Sequence, residues 1–285
     1  MSPLADVLAG GATAIAAGRP ADSSALGFAA LAGTGCFVFG MTLNDLVDRA
    51  KDTIHSPQRP LPSGRASVGA ARAQAGIAAV LALGSAAFVS PAAAVCVATM
   101  LACIVAYDVI PGHGGAFGVL LLGAIRGLDL ALGGFALGAG TPTYIAALGY
   151  ALFIGAIAGF ARMEDGEVAF DRSRVLRATG LLAFASFATP MTLELLGAAK
   201  DRRCLLLGLV LALAGIARWW SVAGPLVFGR RVDPSQLRRC VGIGLSGLFA
   251  FDAAIAFTCG VPAFGIGIVV AFALAQVFVR ALPPS

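Results

Sequence analysis

The chain has 285 residues, 59% hydrophobic and 12% charged, with a mean hydropathy of +0.89. A water-soluble domain is nearer a quarter charged and a disordered chain has few apolar residues, so both classes are excluded. The formal net charge of +5 would suggest nucleic acid for a soluble protein, but here it records basic loops between apolar segments, and no nucleic-acid partner is expected.

A helix crosses a bilayer in about 20 residues. In chain order the apolar stretches are 4–18, 26–46, 68–89, 92–110, 117–137, 144–163, 176–198, 205–228, 241–259 and 264–279. The predicted fold class is therefore all-α, a polytopic membrane protein with nine or ten transmembrane helices, the first being the shortest. No ten-residue alternation of polarity marks a β-barrel. The opening segment, MSPLADVLAGGATAIAAG, lacks a basic lead and reads as a first membrane helix that begins abruptly, not as a cleavable signal peptide. Gly134 and Gly138 have the GxxxG spacing of closely packed membrane helices.

The arginines and lysines sort the loops. Arg49, Lys51, Arg59 and Arg65 follow the second stretch, Arg172, Arg174 and Arg177 the sixth, and Arg230, Arg231, Arg238 and Arg239 the eighth. The other side holds Arg19, Lys200, Arg202 and Arg203. The positive-inside rule puts the N-terminus and the loops after even-numbered helices in the cytoplasm, with the cluster around Lys200 against it but outvoted. The six cysteines lie in or beside apolar segments without CxxC spacing, and His55 and His113 are far apart, so these are read as structural thiols and no zinc or haem pattern emerges.

The acidic residues carry the chemistry. In Asn44-Asp45-Leu46-Val47-Asp48-Arg49-Ala50-Lys51-Asp52, a helical step of about 100° places Asp45, Asp48 and Asp52 on one face, with Asn44 in an overlapping row. Carboxylates so close repel unless cations sit between them, and Mg2+ is typically held by one or two carboxylates plus substrate phosphate. At the end of a membrane helix such groups are costly and mark function. Glu164, Glu167 and Asp171 repeat the spacing, each 119 residues after its counterpart, and Asp165 offers an alternative frame. Two acidic sets after even-numbered helices face one compartment and could grip one diphosphate. The offset predicts two four-helix half-repeats, roughly 1–115 and 116–235, followed by C-terminal helices within a single domain over 1–285. Arg59 and Arg65, in the turn-rich loop QRPLPSGR, suit phosphate oxygens. Arg126 and Asp129, at i and i+3 in an apolar stretch, pair with each other or line a binding chamber. Asp6, Glu194, Arg218 and Asp252 are further ionisable residues in apolar surroundings, and the Trp219–Trp220 pair reads as an interfacial anchor.

NDLVDRAKD followed by QRPLPSGR resembles the first signature of the UbiA family of intramembrane prenyltransferases, and the helical layout extends the resemblance over nearly the whole chain. Tyr107-Asp108 at the end of the fourth stretch and Arg126-Gly127-Leu128-Asp129 in the fifth are also similar to family segments. The resemblance implies helices around a central chamber and Mg2+-dependent transfer of an isoprenyl group from its diphosphate to a small acceptor, most often aromatic. It assigns metal contacts to Asp45, Asp48, Asp52, Glu164, Glu167 and Asp171, with Asp48, Asp52, Glu167 and Asp171 catalytic. Substrate contacts fall to Asn44, Arg59, Arg65, Tyr107, Arg126 and Asp129. The expected setting is a bacterial cytoplasmic membrane, with the acidic motifs facing the cytoplasm. The second motif, RMEDGEVAFD, is led by glutamate where the family usually has aspartate, and Pro111, Gly112 and His113 stand where a lysine is common. Asp129 replaces the usual asparagine, and the polar lead-in with an Arg-Pro pair is missing, so the chain fits an atypical branch. The same scaffold would also suit a glycerolipid or phosphoribosyl-type substrate. A cation-coupled secondary transporter is the alternative from another class, although carboxylates at the membrane surface and a parallel repeat argue against it.

Overall fold

The computed structural model describes residues 3–110, 115–164, 169–229 and 234–281. Eleven helices and no strand occur among the described residues. They are α1 (Pro3–Ala16), α2 (Ser23–Val47), α3 (Arg49–His55), α4 (Val68–Val89), α5 (Pro91–Val109) and α6 (Ala116–Leu137). The remainder are α7 (Thr141–Glu164), α8 (Arg172–Leu195), α9 (Arg202–Phe228), α10 (Pro234–Thr258) and α11 (Pro262–Ala281).

Every predicted apolar stretch lies within or largely within one helix. Seven of them, α2, α4, α5, α6, α7, α9 and α10, are long and apolar enough to cross a membrane, while α1 and 262–277 of α11 are shorter apolar helices. The first two turns of α8 carry Arg172, Arg174 and Arg177 and its interior holds Pro190, which lowers its apolarity. Polar caps set the starts. The Asp22 carboxylate accepts from the Ser24 and Ala25 amides, Ser67 and Ser90 cap α4 and α5, and Pro91 occupies the first turn of α5, where its missing N–H is not needed.

The α1–α6 crossing joins two apolar cores. Val7 and Leu132 belong to the core of α2, α4 and α5, whereas Ala5, Ala9 and Leu130 belong to that of α7 to α11. Here a Cβ on Gly10 would overlap the Leu130 carbonyl, and one on Gly133 would overlap that of Val7, so the absence of side chains allows backbone contact. Gly134 packs against Thr143, but Gly138 does not join this contact. It ends α6 at φ +88°, in the left-handed region that favours glycine. Large apolar side chains such as Phe88 (82% exposed) and Leu120 (70% exposed) cover the outside, as lipid contact requires.

Candidate active site

α2 does not run unbroken through its acidic face. It stops at Val47, Asp48 forms the junction at φ −78° and ψ −1°, and α3 begins at Arg49. The Asp48 amide still donates to the Asn44 carbonyl (2.9 Å) and the Asp52 amide to that of Asp48 (2.8 Å), so the helical phase survives. Asp45, Asp48 and Asp52 consequently follow one another along the same edge. Asp52 is buried, and Asp45 and Asp48 are half-buried.

The loop after α3 folds back over this edge. Arg59 Nη1 lies 2.7 Å from Asp52 Oδ2 and 3.8 Å from Asp45 Oδ1. Arg65 goes elsewhere: its guanidinium donates to the Gln58 carbonyl and to Ser63 Oγ, holding the loop's own shape. Asn44 Nδ2 is 3.4 Å from both Asp48 Oδ2 and Asp108 Oδ1, tying α2 to the end of α5.

Beneath this rim, between α2, α5 and α6, lies a cavity of about 320 Å³. Asn44, Tyr107 and Asp108 line its mouth, Phe37, Met100 and Ile104 its walls, and Arg126 and Asp129 its floor. Gly33 and Gly40 on α2 widen it: a Cβ on Gly33 would come 2.7 Å from Asp129 Oδ1. Eleven residues of α2 separate Gly33 from Asn44, a depth of about 16 Å at the usual helical rise.

The floor is a deeply buried polar cluster. Arg126 bonds Asp129 (2.9 Å) and Asp6 of α1, and lies 3.4 Å from the Tyr150 hydroxyl, which itself donates to Asp6 Oδ1 (2.7 Å). Asp252 of α10 sits beside Asp6. Arg126 Nε, Asp129 Oδ1 and Asp252 Oδ1 are buried without a hydrogen-bond partner, the first two on residues that line the cavity. Of these, the Arg126 donor and the Asp129 acceptor stand where the cavity ends. The expected Arg126–Asp129 pair forms, and it recruits Asp6, Tyr150 and Asp252. Intramembrane acids at positions 6 and 252 signalled importance in the sequence, but residues 120 or more positions apart gave no sign of sharing one arginine.

The second acidic segment lies at the same end of the bundle. α6 and α7 are antiparallel, with Gly123 against Ala151 and Gly134 against Thr143, so the end of α7 returns to the start of α6. Glu164 Oε1 is 3.4 Å from Arg238 Nε. Asp171 caps α8 through the Ser173 amide (2.8 Å) and hydroxyl (2.6 Å), with Arg177 and Arg174 at 3.6 and 3.9 Å. The Ser173 hydroxyl contributes most to holding the Asp171 carboxyl below its usual pKa. Glu167 and Asp165 lie outside the described residues. Trp219 is not an interfacial anchor: it is buried, its indole N–H donates to Thr179 Oγ1 (2.9 Å), and it meets Phe160 edge-on.

Could the first segment hold Mg2+? Its carboxylates and carboxamide are hard oxygen donors of the right kind. Among the described residues no three His, Cys, Asp or Glu side chains are grouped to enclose an ion. Mg2+ needs only one or two such carboxylates when phosphate and water complete its shell.

Comparison with known proteins identifies the family and the fold. The model of the UbiA prenyltransferase family matches residues 5–232. No curated protein matches the chain. Among solved structures, a digeranylgeranylglyceryl phosphate synthase superposes with a TM-score of 0.68 at 18% identity, covering 92% of this chain and 94% of the other. An apo UbiA homolog from Aeropyrum pernix K1 gives 0.66 at 14% identity, covering 94% and 97%. A UbiA homolog from Archaeoglobus fulgidus bound to GPP and Mg2+ gives 0.64 at 17% identity, covering 91% and 96%.

Proposed function

Because the chain belongs to the UbiA prenyltransferase family, we propose that it transfers an isoprenyl group from its diphosphate to a small, typically aromatic acceptor in a Mg2+-dependent reaction within the membrane. The observation that carries this reading is the vertical order of the site. Carboxylates and an arginine crown a deep, largely apolar cavity, which matches a charged head on an apolar tail. A depth of about 16 Å accepts roughly three isoprene units at about 5 Å each, from ordinary bond lengths.

Asp48 and Asp52, with Asn44 and Asp45, would hold one Mg2+; Glu164, Glu167 and Asp171 would hold a second. Bound there, the ions supply positive charge to a departing diphosphate. Arg59 would exchange Asp52 for phosphate oxygens, a bidentate partner that guanidinium fits well, and Arg65 would support it by shaping the loop. Asn44 fixes Asp48 relative to Asp108, so the rim keeps its shape as the ligand arrives. Tyr107 would close the mouth, and Phe37, Met100 and Ile104 would keep water from the reacting allylic carbon. The unpaired Arg126 N–H and Asp129 oxygen give a polar stop at the far end.

With α8 and α11 added to the seven apolar helices, the protein would have nine spans. α1 is a partial tenth, since its 14 residues reach only about 21 Å. The two half-repeats would be 1–115 and 116–235. The acidic end would face the cytoplasm of a bacterial cell, where most loop arginines lie. A glyceryl phosphate acceptor is a second reading, favoured by the fold shared with the digeranylgeranylglyceryl phosphate synthase. The test is incubation of the purified protein and a lipid extract with labelled farnesyl or geranylgeranyl diphosphate, against labelled phosphoribosyl diphosphate. Label should enter product only from the prenyl donors; transfer only from the phosphoribosyl donor would reject the proposal.

A further inference from the structure

A second cavity, of about 430 Å³, opens on the outer face of α6, α7 and α8, away from the chamber. Its lower part is apolar. Val119 of α6 forms one wall, and Gly155 and Gly159 of α7 form the base. A Cβ on Gly159 would meet nothing within 4 Å, so this is open space and not a packed contact. Its upper end carries Arg162 from α7 and Arg174 and Arg177 from α8. Those arginines lie at the end of the bundle that carries the acidic motifs.

The surroundings identify the solvent. Leu120 and Leu148, beside the groove on α6 and α7, are 70% and 59% exposed, which places this face against hydrocarbon. Three guanidinium groups above a slot of small residues complement an amphiphile with an anionic head and an alkyl chain. Basic pockets between membrane helices bind lipid head groups in this way. Asp171 is the acid paired with Arg174 and Arg177, at 3.9 and 3.6 Å. Exposed pairs of that length contribute little, and Arg174 and Arg177 retain donors for phosphate.

We propose that the α6–α7–α8 groove is a binding site for an anionic glycerophospholipid, with its phosphate held by Arg174 and Arg177 and one acyl chain lying over Gly155 and Gly159. The bound lipid fixes the depth of the α7–α8 end in the bilayer. The groove is separate from the cavity between α2, α5 and α6, and it meets the proposed catalytic rim only through Asp171, which pairs with Arg174 and Arg177.

The test uses the full chain in detergent, titrated with phosphatidylglycerol or with phosphatidylcholine of the same acyl chains, with retained lipid counted by native mass spectrometry. Wild type should hold phosphatidylglycerol roughly tenfold more tightly, and Arg174→Ala/Arg177→Ala should bring the two lipids to within about threefold, as expected for losing two cation contacts. Gly159→Leu fills the slot with the arginines intact and should also abolish tight phosphatidylglycerol binding. Arg203→Ala, at the start of α9 at the opposite end, should leave the preference unchanged. Equal retention of both lipids by wild type would overturn the proposal. So would an Arg203→Ala loss as complete as that of the double variant, or competition by glycerol 1-phosphate as effective as that by intact lipid.

Discussion

Replacing Arg126 by Met tests the central packing argument most sharply. Arg126 is 7% exposed and connects Asp6, Asp129 and Tyr150, so one substitution removes the cation from two buried carboxylates on two helices. Methionine fills much of the same volume, which keeps the cavity contribution small. Breaking a buried ion pair by deleting one partner costs about 3–5 kcal/mol, because the remaining charge loses its partner without regaining water. The Arg59–Asp52 pair has a similar length but Arg59 is 46% exposed, and Arg59→Ala should cost no more than about 1 kcal/mol. Equilibrium unfolding of both variants in mixed micelles, followed by helical circular dichroism, gives the comparison. Adding Asp6→Asn to Arg126→Met should recover a substantial part of the loss. If Arg126→Met unfolds within about 1 kcal/mol of wild type, the floor network does not hold α1 to α6 and the reasoning fails.

Three further outcomes follow from particular contacts. Gly133→Ala should destabilise the protein by at least about 1–3 kcal/mol, because its methyl group collides with the Val7 carbonyl where backbone cannot yield; an unchanged melting temperature would contradict the α1–α6 crossing. Arg59→Ala should raise KM for the prenyl diphosphate roughly tenfold while kcat falls less, as expected for one lost charge-assisted phosphate contact, and a fall in kcat alone would place Arg59 elsewhere in the cycle. The Asp171 carboxyl is held below its unfolded value of 3.8, chiefly by the Ser173 hydroxyl. Its stabilisation is therefore complete above that value and is lost as pH falls through the lower folded pKa. Hydrogen exchange of the Ser173 amide should accelerate over that acid window relative to distant helices, and Asp171→Asn should abolish this pH dependence.

Hydropathy made most of the helices legible. The stretch 68–89 coincides with α4, since one apolar run flanked by Ser67 and Ser90 leaves little freedom. The first acidic segment stands out in the sequence too, because carboxylates at the end of an apolar helix have few structural reasons to be there. Its break at Asp48 was not, since the helical hydrogen bonds continue through it and no Gly or Pro announces it. The roles of the two arginines in the following loop separate only in three dimensions: Arg59 faces Asp52, while Arg65 folds back on Gln58. Asp6 and Asp252 stood out singly, but their common centre depends on α1 and α10 meeting inside the bundle, which local pattern does not encode. Trp219 misled for a related reason. An indole beside an arginine suits a membrane interface, yet here a partner hydroxyl from α8 satisfies its N–H in the core.

The central claim is that the Asn44–Asp52 edge binds the diphosphate of a prenyl donor with Mg2+. The direct measurement is diphosphate release from labelled geranyl diphosphate by wild type and Asp48→Ala in matched lipid, each with Mg2+ and with excess chelator. The account predicts release and prenyl transfer by wild type only with Mg2+, and a loss of at least about a hundredfold in the variant, the scale of removing a group that acts on transition-state charge. Wild-type rates in Asp48→Ala, or turnover that persists in chelator, would contradict it.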